Sequence, residues 1–456
     1  MKTKKRIAFI ALSGVRAHNA ELTALGLTLP GFVERNKQIA SLPSLGLLTL
    51  AGLTPPERFD VEYHEIADLK TLPELPTHFD LVALSTFTAQ FYEACAVADY
   101  YRARGVPVVM GGITVSSLVD QSLEHCTSVV IGEGEPLWPL VLRDLESNSL
   151  QRIYASSPAG KFDLRNAPMP RFDLLDPDKY NRITVQTSRG CPHRCEFCAS
   201  SILLTPHYKV KPVEKVLAEI HAIKAIWPRP FIEFADDNSF VHREHYKRLL
   251  RELVPEKLRW FTETDVRVAE DDELLGLMRD SGCQQVLIGL ESPRPASLEG
   301  VELKNNWKVR QPEYYREAIA KIQSYGITVN GCFIVGLDAD TPEIFDTVLQ
   351  FVRDSGLFEV QVTFPTAFPG TPFYERLKAE GRILRDQAWE LCTLFDINFT
   401  PKQMSVAQLQ AGFLKLVKQL YSAEETQTRR RNFKRRLRTS PNFVRHPARQ
   451  ELLIAA

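Results

Sequence analysis

The chain has no net charge, 56 Lys and Arg against 56 Asp and Glu over 456 residues. No global field therefore selects nucleic acid, and none is expected as a partner. It has no apolar run near the length of a membrane span. Beyond Cys195 and Cys198 it has no second Cys-x2-Cys pair, which argues against a conventional four-ligand zinc site. Eight cysteines, three of them clustered, indicate a reducing compartment and no disulfide framework. The basic opening Met-Lys-Thr-Lys-Lys-Arg resembles a signal n-region, but the apolar stretch after it is short and reads as a buried first strand. A cytoplasmic protein is expected. The length and a 44% apolar content predict two or three compact units.

What is present is concentrated in the run Ser188-Arg-Gly-Cys191-Pro-His-Arg-Cys195-Glu-Phe-Cys198-Ala-Ser200. The spacing brings the thiolates of Cys191, Cys195 and Cys198 to one loop after a strand-like stretch. An enclosed iron–sulfur cluster or structural zinc takes four protein ligands, whereas three leave a coordination position for a substrate. Spacing alone leaves open a zinc knuckle completed by His193, or a chance grouping of buried thiols. His193 lies inside the first Cys-Cys interval, where it is poorly placed to close a tetrahedron.

Residues 1–150 alternate short apolar runs with amphipathic stretches, the pattern of a doubly wound, Rossmann-like parallel sheet. The predicted strands are Ile7–Leu12, Val61–Ile66, Leu81–Ser85, Val106–Met110 and Ser128–Ile131, with helices over Leu45–Leu53 and Tyr92–Arg104. Turns rich in glycine and hydroxyl residues fall at the strand ends: Ser44 and Leu45; Ser85, Thr86 and Thr88; Gly111 and Gly112; Gly132, Glu133 and Gly134. Such residues let backbone approach a bulky ligand and offer hydrogen bonds without filling space. Residues 151–182, with Pro158, Pro168, Pro170 and Pro177, read as an irregular linker.

From residue 183 to 372 the pattern of strand, loop and helix repeats six times, with strands over Ile183–Thr187, Phe231–Phe234, Arg259–Thr262, Gln285–Ile288, Thr328–Val335 and Glu359–Phe364. Helices are predicted over Pro212–Ile226, Asp271–Ser281, Pro312–Tyr325 and Thr341–Ser355. Parallel strands with helical crossovers make a barrel that carries its chemistry on loops at the strand carboxyl ends. Residues 373–456 read as a helical extension with helices over Tyr374–Glu380 and Ser405–Tyr421, then the basic run Arg429–Arg438. That run is a solvated helix face or, through Phe433 and Leu437, a contact to an anionic membrane surface.

Residues 183–372 resemble a radical S-adenosylmethionine (SAM) enzyme with a partial (β/α)6 TIM barrel. The resemblance implies a 4Fe-4S cluster on the three cysteines and SAM on its open iron. It places Phe197 near the adenine and Asp236 or Asp237 at the SAM amino group. Glu291 and Ser292 would meet the ribose or methionine portion, and Gly331 lies beside the adenine. As bare residues, Phe197 is equally suited to core packing and the aspartates to capping a helix.

The turns of residues 1–150 resemble the cobalamin-binding domain that precedes the barrel in one branch of that family. They lack the Asp-x-His-x-x-Gly that places an imidazole on cobalt, since His64 lies in Asp-Val-Glu-Tyr-His-Glu. The α/β architecture so implied is a cobalamin-type domain, a partial barrel and a helical extension. The activity implied is methylation of an unactivated carbon on a small, lipid-like or natural-product precursor, with flavodoxin or ferredoxin as electron donor. Radical rearrangement or cyclisation, and a non-catalytic iron–sulfur sensor, are the other readings.

Overall fold

A computed structural model describes residues 4–12, 14–15, 17–24, 42–71, 75–155, 162–204 and 207–444. Pro158 and the first three residues lie outside them. Two six-stranded parallel sheets dominate. The first contains β1 (Lys5–Leu12), β2 (Phe59–Ile66), β3 (Leu81–Thr86), β4 (Val108–Gly111), β5 (Ser128–Ile131) and β6 (Ile153–Ala155), in the order β2-β1-β3-β4-β5-β6. Its strands are apolar on both faces because both faces are covered. On β1, Ile7, Phe9 and Ala11 pack with Leu47, Ala51 and Trp138. The alternating Ala8, Ile10 and Leu12 pack with Ala94, Val97 and Tyr101.

β6 corrects the sequence reading, which left its residues in the linker. It is three residues long and only Tyr154 is buried, too little for a recognisable alternation. Residues 162–182 of the linker carry three short turns, Leu164–Asn166, Phe172–Leu174 and Pro177–Lys179, and no longer element, as Pro168, Pro170 and Pro177 favour.

The second sheet runs in chain order: β7 (Ile183–Val185), β10 (Phe231–Phe234), β11 (Arg259–Thr264), β12 (Cys283–Glu291), β13 (Thr328–Ile334) and β14 (Glu359–Thr363). Among the described residues β7 and β14 do not pair with each other, so the sheet is open. A two-stranded antiparallel ribbon, β8 (Ser188–Arg189) with β9 (Lys209–Val210), starts the cysteine loop. Outward side chains such as Ile183, Ile232, Trp260, Val286 and Val329 join one apolar core with the crossover helices. One of those helices, Arg243–Leu253, is absent from the sequence reading although Tyr246, Leu249, Leu250 and Leu253 recur at helical spacing and are buried.

The extension contains helices Pro372–Ala379, Val406–Leu420 and Ala423–Arg438. A capping box of Ser405 and Gln408 starts the second. The third lies near the amino ends of the strands, away from the cysteine loop. Arg429 is buried there, donating to the Leu420 carbonyl at 2.8 Å and lying 3.7 Å from Glu359. Phe433 and Leu437 are buried as well, Phe433 against Phe358 at 5.1 Å. The two apolar positions offered for membrane contact are therefore used in packing, and the face left exposed carries Arg431, Arg435, Arg436 and Arg438. Among the described residues no helix is long and apolar enough to cross a membrane.

Gly412 marks where the helix Val406–Leu420 meets the helix Ile344–Ser355: a Cβ there would stand 2.0 Å from the buried ring of Phe345. Gly412→Ala should cost about 1–3 kcal/mol by overpacking and lower the melting temperature by several degrees in a calorimetric scan.

Candidate active site

The cysteine loop is held from beneath by one buried carboxylate. Asp236, just past the end of β10, accepts from the amides of Thr187 and Ser188 at 2.8 Å each. It also accepts from the hydroxyls of Thr187, Ser239 and Tyr246. Burial still pushes its pKa up, against these donors. With its oxygens so engaged, Asp236 is not part of the lining of the cavity that the cysteines share. That corrects its placement at the SAM amino group and makes it a support for the loop. Asp237 is the residue that lines the cavity. It accepts from the Gly190 amide at 2.8 Å and from the Ser200 hydroxyl.

Cys191, Cys195 and Cys198 line one cavity of about 440 Å³ at the carboxyl ends of the strands, together with Phe197, Asp237 and Glu291. All three are free thiols. Burial, and then Cys198, raises Cys191 to about 11, and burial, then Glu291 ahead of the other two cysteines, raises Cys195 to about 12. Cys198 is also raised by burial. Ligation must therefore displace protons from buried thiols.

Among the described residues no set of three or more His, Cys, Asp or Glu converges as a single ion requires. His193 lines the same cavity, but its ring is engaged elsewhere: it stacks on Trp307 at 4.3 Å and lies 3.3 Å from Asp265. The zinc knuckle with His193 is thus not the arrangement found. The donor set suits a polynuclear cluster, whose separate iron atoms each take one thiolate.

A segment after β12 folds over the loop. Glu302 accepts from the amides of Arg194, Lys304, Asn305 and Trp307 at 3.0–3.4 Å. The Glu196 amide donates to Val301 and the Leu303 amide to Arg194. This places Trp307 and Lys308 in the cavity. Lys308 donates to Glu291 at 2.5 Å, and against the cost of burial that carboxylate keeps the ammonium protonated. Glu291 sits at φ +60°, an uncommon conformation that turns it inward at the irregular end of β12.

Two other assignments need correcting. Ser292 is fully buried outside the cavity, where its hydroxyl accepts from the Arg294 amide at 3.2 Å. Gly331 faces the helices: a Cβ there would lie 2.8 Å from Leu357 and 2.9 Å from Leu290. Its neighbour Cys332 faces the cavity instead, as do Asn238, Glu263, Asp265 and Gln361. Strand alternation was the available signal, because a residue beside one that packs outward points inward.

A second cavity, of about 250 Å³, opens at the carboxyl edge of the first sheet. Leu45, Ser85, Gly111, Gly112, Gly132, Glu133 and Gly134 line it, with Trp138 and Glu135. Gln186 and Arg189 reach it from the cysteine-loop side. Gly112 and Gly132 adopt φ +104° and +85°, which keeps these turns tight and free of side chains. No described histidine lines the cavity, and His64 lies on β2 beside Glu62 at 3.1 Å. The glycine floor suits a bulky ligand that approaches the backbone closely.

Three members of the predicted set lie elsewhere. Ser44 caps the helix Leu45–Gly52 and, with Thr86, lines a neighbouring cavity of about 270 Å³. Thr88 is buried 3.1 Å from the Thr114 hydroxyl. Glu133 lines the cavity but is occupied: burial raises its pKa, yet bonds from Lys209, the Phe162 amide and Arg189 bring it below the usual range.

Residues 185–352 match the family profile described as the Radical SAM superfamily. The chain carries a radical SAM domain and is an enzyme. Residues 371–455 match a domain of unknown function, DUF4070. The chain is 26% identical over 386 residues to bacteriochlorophyllide d C-12(1)-methyltransferase of Chlorobaculum tepidum, covering 84% of this chain and 83% of that one. It is 27% identical over 356 residues to hopanoid C-2 methylase of Rhodopseudomonas palustris, covering 76% and 66%. In fold it is similar to the radical SAM methyltransferase TsrM from Kitasatospora setae, a structure with cobalamin and a [4Fe-4S] cluster bound. The TM-score is 0.67 at 16% identity, covering 95% of this chain and 99% of that one.

Glu263 gives the radical SAM domain a pH signature. Burial, and then the carboxylates of Glu233, Asp237, Asp236 and Glu291, raise it to about 8. The folded chain therefore holds a proton that the unfolded chain loses near pH 4.5, so this group makes stability fall as pH rises between those values. Glu263→Gln should be the more stable protein at pH 8, by about 1 kcal/mol or more and roughly 2–4 °C. It should lose that advantage near pH 4.5, as read from paired thermal melts of the cluster-free chain.

Proposed function

We propose that this enzyme cleaves SAM at a 4Fe-4S cluster on Cys191, Cys195 and Cys198 and methylates an unactivated carbon with the help of a corrinoid. The corrinoid would lie in the glycine-lined cavity of a cobalamin-type, Rossmann-like first domain, above a partial barrel. The observation that carries the reading is the shared cavity: Cys191, Cys195 and Cys198 of one loop meet Phe197, Asp237 and Glu291 at the strand ends of a radical SAM domain. When bound, the cluster supplies the electron that splits SAM into methionine and a 5′-deoxyadenosyl radical, and methylcobalamin supplies the methyl group.

The chain's own residues then have definite tasks. Asp237 accepts from the SAM ammonium while remaining tied to the Gly190 amide. Glu291, neutralised by Lys308, accepts from ribose hydroxyls. Phe197 lies against the adenine. Phe364, Phe368 and Leu394 form the apolar part of the wall and exclude water from the reacting centre. A wall of this kind suits a small, largely apolar substrate, and the electron donor is of the flavodoxin or ferredoxin type. The relatives named as methylases support methyl transfer over the sensor reading.

Anaerobic reconstitution with iron, sulfide and hydroxocobalamin, followed by mass analysis under reduction, should yield both 5′-deoxyadenosine and S-adenosylhomocysteine. The first product without the second means rearrangement or cyclisation; neither product contradicts the assignment. Cys195→Ala should lose SAM cleavage by at least about a thousandfold, and retained cleavage would remove this cysteine from the ligand set.

A further inference from the structure

Arg189 touches the supports of both cavities. It stands two residues before Cys191 and lines the cavity of the first sheet. Its guanidinium donates to Glu133 at 2.7 Å, to Glu135 at 2.6 Å and to Gln186 at 3.0 Å. The side chains of Arg189, Glu133 and Glu135 are 11%, 2% and 8% exposed, so these are enclosed charge-assisted bonds with fixed geometry. Glu133 and Glu135 flank Gly134, part of the turn that forms the cavity floor. On the other side, the amide next to Arg189 in the chain, that of Gly190, donates to Asp237 in the cysteine-lined cavity at 2.8 Å. Three consecutive residues thus join a side chain fixed by the first domain, a backbone amide fixed by Asp237, and a cysteine.

We propose that Arg189 is a positioning residue that couples the two sites, so that corrinoid and SAM each tighten the other's binding. The inference rests on the corrinoid reading above. A corrinoid seated on Gly132–Gly134 holds Glu133 and Glu135 in place, and through them the segment 189–191. SAM bound at Asp237 orders the same segment from the opposite side. Whichever ligand binds first bears the ordering cost for both, and linkage makes the effect reciprocal. Glu133 keeps Lys209 and the Phe162 amide as partners when Arg189 is replaced. Glu135→Gln is the milder second variant, since it weakens a single arm.

The test is equilibrium titration of SAM against the cluster-loaded full chain, with and without saturating hydroxocobalamin, whose own binding is followed by absorbance. In the unmodified chain hydroxocobalamin should tighten SAM by about fivefold or more. In Arg189→Gln and Glu135→Gln both ligands should still bind, with the factor reduced to within about twofold of unity. An unchanged factor in both variants overturns the coupling role, as does a factor of one in the unmodified chain when both ligands bind. If the unmodified chain takes up no hydroxocobalamin, the corrinoid reading itself fails, a separate and recognisable outcome.

Discussion

The cysteine loop depends on the buried carboxylate of Asp236. A loop that presents three thiols to a cavity has little regular structure, and its backbone donors must find acceptors away from water. Asp236 satisfies two of them, at Thr187 and Ser188, and is itself fixed by Ser239 and Tyr246. Asp237 takes the amide of Gly190. Two adjacent aspartates at the end of one strand therefore set the path of the chain into Cys191, and Glu302 sets the path around Arg194 from above. The thiols owe their common cavity to this scaffold, and their burial explains why they hold their protons until a metal centre takes them.

Electrostatics in the cysteine-lined cavity separate the acids by role. Glu291 has a lysine, Asp265 has Arg267 and His193, and Glu263 has other acids around it. Asp265 is held as an anion by His193 and Arg267, while Glu263 is driven toward its neutral form near pH 7. A carboxyl that can donate and a carboxylate that can only accept thus face the same space, which lets one cavity hold ligand groups of different hydrogen-bonding character. Arg189 links the cysteine loop to the turn after β5, and its partners there are also buried acids.

Much of the architecture was legible in the sequence because apolar runs bounded by turns carry their own limits. Ser128–Ile131 and Phe231–Phe234 end where the sequence places them, both lying deep in parallel sheets. β6 escaped because a single buried residue has no period. Helix Arg243–Leu253 escaped although its stripe was present, its charged majority masking four core positions. In the candidate site, motif position identified the neighbourhood but not the facing. Asp236 and Asp237 differ by one residue and by opposite surroundings, and so do Gly331 and Cys332. Lys308 and Trp307 come from a long loop whose fold over the cysteines depends on Glu302, a long-range arrangement with no local signature.

The central claim is that three cysteines leave one iron open to SAM. Electron paramagnetic resonance of the anaerobically loaded, reduced chain tests it directly. A reduced 4Fe-4S signal whose g values move when SAM is added is the expected result, as it would be if SAM took up the coordination position that the three cysteines leave free. A signal indifferent to SAM, or a protein that retains only zinc at this loop, would contradict it.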